Sequence, residues 1–448
     1  MGLENRIKEL QNPNASRSVQ LVNPYSGQAQ AQRPSYENPP PEIQRILLNA
    51  VLTQSFNIGF FLNPSRFWEA VMSDSSSGHP ERPTEGLLTV VNLLGLHLSR
   101  PQDAQIQPLL NSSLQQVSNM LNSTHPSRII HGIQAEVLLS TYFFDTGRVV
   151  EGQYHLDAAV SLAIGVGLHQ IRSGRTRRSA TSLPPPRDAI EEGERINAFW
   201  TVYMLSAVWG VALGSAESTS VFEGNGGTVD TPWPLDMVDY EKHGIPRGLI
   251  GTSTVQNFLS QGQSGNDRVS SVNALSAQAS VLLHSAGDLT TRFRSDISGS
   301  ERRRLLETFS SLDNLIDSFI DSRLPPMDGL DPTSRVFGAA LLSHTLAYAA
   351  CIQLHSPFVD RDPSSMAKSL AAAEASVALL RRASSASFVS PIMAMLWVSA
   401  GRVILKELAR LRRSRRGAGG NEREGELLRE LERLIEAMMV FAERSVLM

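Results

Sequence analysis

The chain has 448 residues, 41% of them hydrophobic and 19% charged, with a formal net charge of -3 and a pI near 6.4. That length exceeds one compact core, so two or more packed units are expected. The near-neutral balance excludes a global electrostatic pull toward nucleic acid or membrane. The single cysteine, Cys351, excludes an intramolecular disulfide or a cysteine-rich zinc site within these residues and fits a reducing compartment.

At the start, Leu3, Ile7 and Leu10 follow coiled-coil spacing for about one and a half heptads before Pro13, a candidate dimerisation seam. Residues 13–41 are rich in Pro, Gln, Ser and Asn and read as a disordered linker without an apolar run of signal-peptide length. From Glu42 the apolar residues take helical spacing. The pattern predicts helices near 42–62, 84–99, 108–123, 127–145, 149–168, 189–213, 270–294, 301–322, 332–355, 364–383, 391–413 and 424–446. Asp331-Pro332 and Ser390-Pro391 read as helix starts, and Pro64, Pro101, Pro126 and Pro357 as stops. In the later helices, Leu305, Phe309, Leu312, Ile316 and Phe319 form one stripe. Two others are Met366, Leu370, Ala373, Val377 and Leu380, and Leu427, Leu431, Leu434, Met438 and Phe441.

No series of alternating strands appears, so the fold class is all-α, an array of antiparallel helix pairs. Residues 172–193 and 214–269 read as long loops, and no exact internal repeat is present. Residues 336–355 are the most membrane-like stretch. Ser343, His344, Thr345 and Gln353 make it a buried core helix, and no membrane partner is expected.

Enzyme signatures are missing. There is no phosphate-binding loop, no H-E-x-x-H and no G-x-S-x-G. Gly224 to Gly227 is glycine-rich but has no flanking strand. The Asn111 and Asn122 glycosylation triplets read as chance matches. Cys351 and His355 share a helix face, which reads as a buried thiol and a helix-terminal histidine rather than a metal pair or nucleophile. Asp313, Asp317 and Asp321 stack on one face and read as a solvated outer surface rather than a divalent-ion site. Arg410, Arg412, Arg413, Arg415 and Arg416 read as cations at a helix C-terminus, with a nuclear-import or phosphate-contacting patch as the alternative.

Two segments carry a resemblance. The first holds Asp145, Arg148 and Gly152, then His155 to Ala163, then Gly167, Leu168 and His169. The second holds Glu194, Arg195, Phe199, Trp200, Tyr203 and Leu205, then Leu213-Gly214, and later Asp230-Thr231-Pro232-Trp233-Pro234. In order and spacing this resembles the middle homology region of fungal zinc-cluster transcription factors. That region has a "GLH" element, an "ERRR-x-x-FW-x-x-Y-x-L" helix, an "LGRP" turn and a "D-x-P-x-P" segment. Phe60 to Trp68 resembles the family's early aromatic segment, and Leu354-His355-Ser356-Pro357-Phe358 its "LHRPF" element. Departures are Ser206 and Ala207, where the family has aspartate and arginine, and Ser215 and Ala216 in place of "RP".

The resemblance implies a transcription regulator in the nucleus. Residues 1–41 would be coiled-coil remnant and linker, 42–250 the regulatory core and 251–448 its C-terminal helical part. It implies no catalytic residue, and no cofactor or metal in this chain, zinc being expected only with an N-terminal cluster that these residues lack. DNA contact would come through that cluster or a partner's. Further partners would be a second copy, a related factor, and a small-molecule effector or coregulator. Two other readings stand beside it: a dimerisation partner or repressor without its own DNA reader, and an all-helical metal-dependent enzyme using the aspartate face.

Overall fold

The structure is a computed structural model that describes residues 36, 38–73, 81–173, 183–214, 228–261, 271–293, 298–332, 334–383, 390–414 and 422–442. The heptad residues Leu3, Ile7 and Leu10, the glycine run 224–227, Ser215, Ala216, Arg415 and Arg416 lie outside the described residues. Among the described residues there are fifteen α-helices. The β-type contact among them is one isolated parallel bridge between Ser173 and Gly251.

The first expected helix, 42–62, is two elements. Helix α1 (Pro41–Thr53) opens on proline and buries Leu47, Leu48 and Val51. The backbone then winds through turns to Gly59, whose φ of +74° is open to glycine and strained for other residues. A second helix, α2 (Pro64–Met72), starts where Asn63 accepts a hydrogen bond from the Arg66 amide. Pro64 therefore begins a helix rather than stopping one, the pattern of an asparagine cap followed by proline.

Helices α3 (Glu85–Ser99), α4 (Ile106–Asn119), α5 (Arg128–Asp145) and α6 (Val149–Gly165) lie close to their expected bounds. Gly95 lets α1 cross α3 closely, since a Cβ there would lie 2.5 Å from the Leu47 carbonyl oxygen. Gly147, at φ +73°, turns α5 back into α6 within three residues. Helix α7 (Ala189–Leu213) is the longest at 25 residues. Asp188 caps its start by accepting from the Glu191 amide, and Gly214, at φ +71°, ends it.

The stretch expected as a loop over 214–269 contains two short helices, α8 (Met237–His243) and α9 (Thr254–Gln261). At 7 and 8 residues they are too short to show a repeating apolar period. The remaining helices are α10 (Val272–Arg292), α11 (Gly299–Ser322), α12 (Arg335–His355), α13 (Pro363–Ala383), α14 (Ile392–Ser414) and α15 (Glu422–Ala442). Helix α12 starts three residues after Pro332, because Ser334 supplies the cap to the Phe337 amide.

Residues 36–448 form one compact unit. Consecutive helices pair as α3 on α4, α5 on α6, α12 on α13, α13 on α14 and α14 on α15. Helix α10 lies against both α12 and α7, and α14 also reaches α7, which joins the earlier and later helices through one apolar core. Helices α7 and α12 are long and apolar enough to cross a membrane. In this fold 67% and 78% of their most apolar windows are buried against other helices, the arrangement of core elements.

Candidate functional site

The residues of the two motif segments meet around the first half of α7. Phe199, Trp200 and Tyr203 are buried there, and Leu205 is partly buried. The Trp200 Nε1–H donates to the Pro232 carbonyl at 2.7 Å, and its ring stacks on Trp233 at 4.5 Å between centroids. Trp233 then meets Phe258 of α9 edge-on at 5.5 Å. Such aromatic contacts each add about 0.5–1.5 kcal/mol beyond the area they bury.

Behind this stack three loop segments interlock. Gly167, at φ +79°, sets up the turn that carries Leu168 and His169. The His169 carbonyl accepts from the Asp230 amide at 2.9 Å and the Thr231 amide at 3.2 Å, and the Thr231 hydroxyl donates to the Leu168 carbonyl. Asp230 is buried and accepts from the Ser173 hydroxyl at 2.6 Å and the Ser253 amide at 2.8 Å. Gly251 passes so close that a Cβ would sit 1.3 Å from the Asp230 carbonyl oxygen. The "GLH" and "D-x-P-x-P" elements are thus one hydrogen-bonded junction.

At the α7 start, Arg195 donates to the Pro184 carbonyl and to Glu191, both at 2.7 Å, and Arg187 also pairs with Glu191. Arg66 of α2 pairs with the capping Asp188 at 2.9 Å. Glu194 accepts from the Asn63 amide at 2.8 Å, while the Asn63 side chain donates to Glu241 at 2.6 Å. Burial is the main force on Glu194 and raises its pKa to about 7, against the Asn63 hydrogen bond and the Arg66 charge. Gln134 of α5 completes the frame: it accepts from the Phe61 amide at 2.8 Å and donates to the Gly59 carbonyl at 3.1 Å. Nothing in the sequence pattern marks Gln134, because its partners are backbone groups.

At the α6 start, Arg148 pairs with Glu151 at 2.8 Å and lies 4.5 Å over the Phe143 ring. A Cβ at Gly152 would fall 2.7 Å from the Phe144 ring, which stacks on Trp209 at 3.7 Å. Two buried acid–histidine pairs reinforce the same region, His97 with Asp145 at 2.7 Å and His155 with Glu136 at 2.6 Å. Ser206 and Ala207 are both buried, so a charged pair at those positions would have to be accommodated inside the core.

The two weaker chemical candidates turn out to be one cluster. His355 meets Asp313 at 3.0 Å through Nε2 and Ser365 at 3.0 Å through Nδ1. Lys368 donates to both Asp313 and Asp317 at 2.7 Å. Burial opposes the lysine charge, yet its hydrogen bonds and charge partners hold its pKa above the ordinary value. Asp321 is exposed and the Asp317 side chain is 46% exposed, so of the three stacked aspartates only Asp313 is drawn inward from the solvated face. Asp313 and Asp317 tie α11 to α12 and α13.

An Asp–His–Ser sequence of contacts exists here, but the Ser365 hydroxyl already donates to Asp362 at 2.7 Å and is 2% exposed. It is not placed to attack a substrate. Burial, then Asp317 and Asp313, push the Cys351 thiol up to about 12, far from a reactive thiolate. Among the described residues no group of three histidines, cysteines or acids is arranged to hold a metal ion. Of the arginine run, Arg410 pairs with Glu407 at 2.6 Å and Arg412 with Glu424 at 2.8 Å.

The motif residues therefore act through packing and loop anchoring. No curated protein and no solved structure matches the chain. A family model does, over the stretch that holds the α5–α6 pair, the "GLH" turn and the α7 helix: residues 53–225 match the model of the fungal specific transcription factor domain.

Proposed function

We propose that this helical region is the regulatory, middle homology part of a zinc-cluster transcription regulator acting in the nucleus. The observation that carries the reading is the domain match over 53–225, in which the motif residues Leu168, Arg195, Phe199, Trp200 and Tyr203 are buried in the fold. A scaffold of this kind suits a regulator: it presents surfaces to partners and holds its signature residues for stability. DNA would be reached through a zinc cluster outside these residues or on a partner. Residues 42–250 would form the regulatory core and 251–448 its helical continuation. Homodimers or heterodimers with related factors, and an effector or coregulator, would set activity.

The test is chromatin immunoprecipitation of the tagged full-length protein in its native host. Enrichment at a reproducible set of promoters is the expected result. A protein excluded from the nucleus and from chromatin under all growth conditions would contradict the reading.

A further inference from the structure

The outer side of the last two helices carries large apolar residues that the described residues leave open. Leu405 of α14 is 51% exposed, and Ile435 and Met439 of α15 are 50% and 65% exposed. The core-facing residues of α15 are a separate set, Leu427, Leu434 and Phe441.

Three contacts fix how the two helices lie together. Trp397 meets Phe441 at 5.7 Å between ring centroids, a Cβ at Gly401 would lie 3.0 Å from Leu434, and Arg412 pairs with Glu424 at 2.8 Å. The helices are therefore antiparallel, with Arg402 level with Leu434 and Leu405 level with Leu431. The Arg412–Glu424 pair marks the outer seam between them. Leu405 lies two turns before Arg412, and Leu428 and Ile435 lie one and three turns after Glu424, so helical spacing sets all three along that seam.

Charge on this face is sorted by helix. Arg402 of α14 and Glu432 and Glu436 of α15 are exposed, and none of the three forms an ion pair among the described residues. The cations beside those glutamates are turned elsewhere: Arg433 pairs with Glu430, and Arg429 reaches back toward Gly425. The helices have 23 and 21 residues, so the face measures about 30 Å by 20 Å, roughly 600 Å² per copy. Doubled, that reaches the lower bound of about 1,200 Å² for a specific interface.

We propose that this face pairs with the same face of a second copy of the chain. The two-fold axis runs parallel to the helices, so α14 of one copy lies antiparallel on α15 of the other. That rotation keeps each residue at its level along the helices. Each Arg402 then stands over Glu432 and Glu436 of the second copy, and each Leu405 falls between Leu428 and Ile435 of the second copy. A two-fold across the helices would set α14 on α14 and bring like charges together. An isologous interface needs a face complementary to itself, which the basic and acidic halves supply. The consequence, a regulator joined through its last two helices, rests on the regulatory reading. The pairing is measured on purified protein, so a monomer would leave the transcription reading standing.

The experiment is sedimentation equilibrium of the full chain from about 1 to 100 µM. A monomer–dimer equilibrium with a Kd of about 1–50 µM is expected. Ile435→Glu and Arg402→Glu, at exposed positions, should each weaken it about tenfold or more with the melting temperature of the dilute protein unchanged. The double variant Glu432→Arg, Glu436→Arg should do the same. Mixing that double variant with the Arg402→Glu chain should restore pairing, because both halves of the interface again set opposite charges together. A monomer throughout the range, or a mixture that does not recover, would overturn the proposal. So would a dimer that no variant weakens, which would place dimerisation elsewhere, as at the Leu3, Ile7 and Leu10 heptad.

Discussion

Glu194 is the residue whose chemistry departs furthest from what its place in an acidic run suggests. Its carboxyl is raised from 4.5 to about 7 by burial, in spite of the lowering hydrogen bond from the Asn63 amide. The folded state therefore holds its proton more tightly than the unfolded chain between pH 4.5 and 7. The stability it contributes is complete below 4.5 and is lost as pH rises through 7, an effect on the order of 3 kcal/mol. His131 slopes the other way: burial, with His125 and Arg187, lowers it to about 3, so its contribution is present above 6.5 and lost toward pH 3. Urea unfolding from pH 5 to 8 should show Glu194→Gln gaining on the wild type as pH rises, and parallel curves would refute this. Gly152 offers a steric counterpart. Gly152→Ala drives a methyl into the Phe144 ring and should cost about 1–3 kcal/mol. Gly165→Ala, at the end of the same helix with nothing within 4 Å, should be neutral or slightly stabilising by thermal melting.

Helix α11 shows what an element-scale tie does. It is amphipathic and buries Leu305, Leu312, Ile316 and Phe319. Its polar hold on the rest of the fold runs through Asp313 to His355 and through Asp313 and Asp317 to Lys368. His355→Ala should cost about 1–3 kcal/mol. Hydrogen exchange should quicken in α11 while α5 and α7 keep their protection; unchanged α11 exchange would contradict the tie.

This cluster also marks where the sequence could be read and where it could not. Long helices announced themselves by period, and α3, α5, α7 and α10 to α15 lie within a few residues of expectation. The break between α1 and α2 was hidden because the aromatic run Phe56 to Phe61 continues the apolar pattern through a turn set by Gly59. The motif helix was legible from Arg195, Phe199, Trp200 and Tyr203. Its partners were not, because Pro232, Pro184 and Gly59 contribute carbonyl oxygens, which any residue has. Likewise, His355 and Asp313 are 42 residues apart, and no local spacing links them.

At the scale of the whole molecule, the domain over 53–225 is continuous with the later helices. Helix α7, inside the domain, packs on α10 and α14 outside it, and Trp233 and Phe258 extend the aromatic stack past its boundary. Under the proposed regulatory function, a fold built this way should respond as a unit: loosening the interior should reduce output along with stability. The most direct measurement is transcription from a reporter when the full chain is fused to a heterologous DNA-binding module. Gly152→Ala is measured beside the wild type at matched protein levels. The account predicts that the wild-type fusion shifts reporter output, up or down, relative to the module alone, and that Gly152→Ala loses the shift in step with its unfolded fraction. Reporter output identical to that of the module alone, from a folded and nuclear fusion, would contradict it.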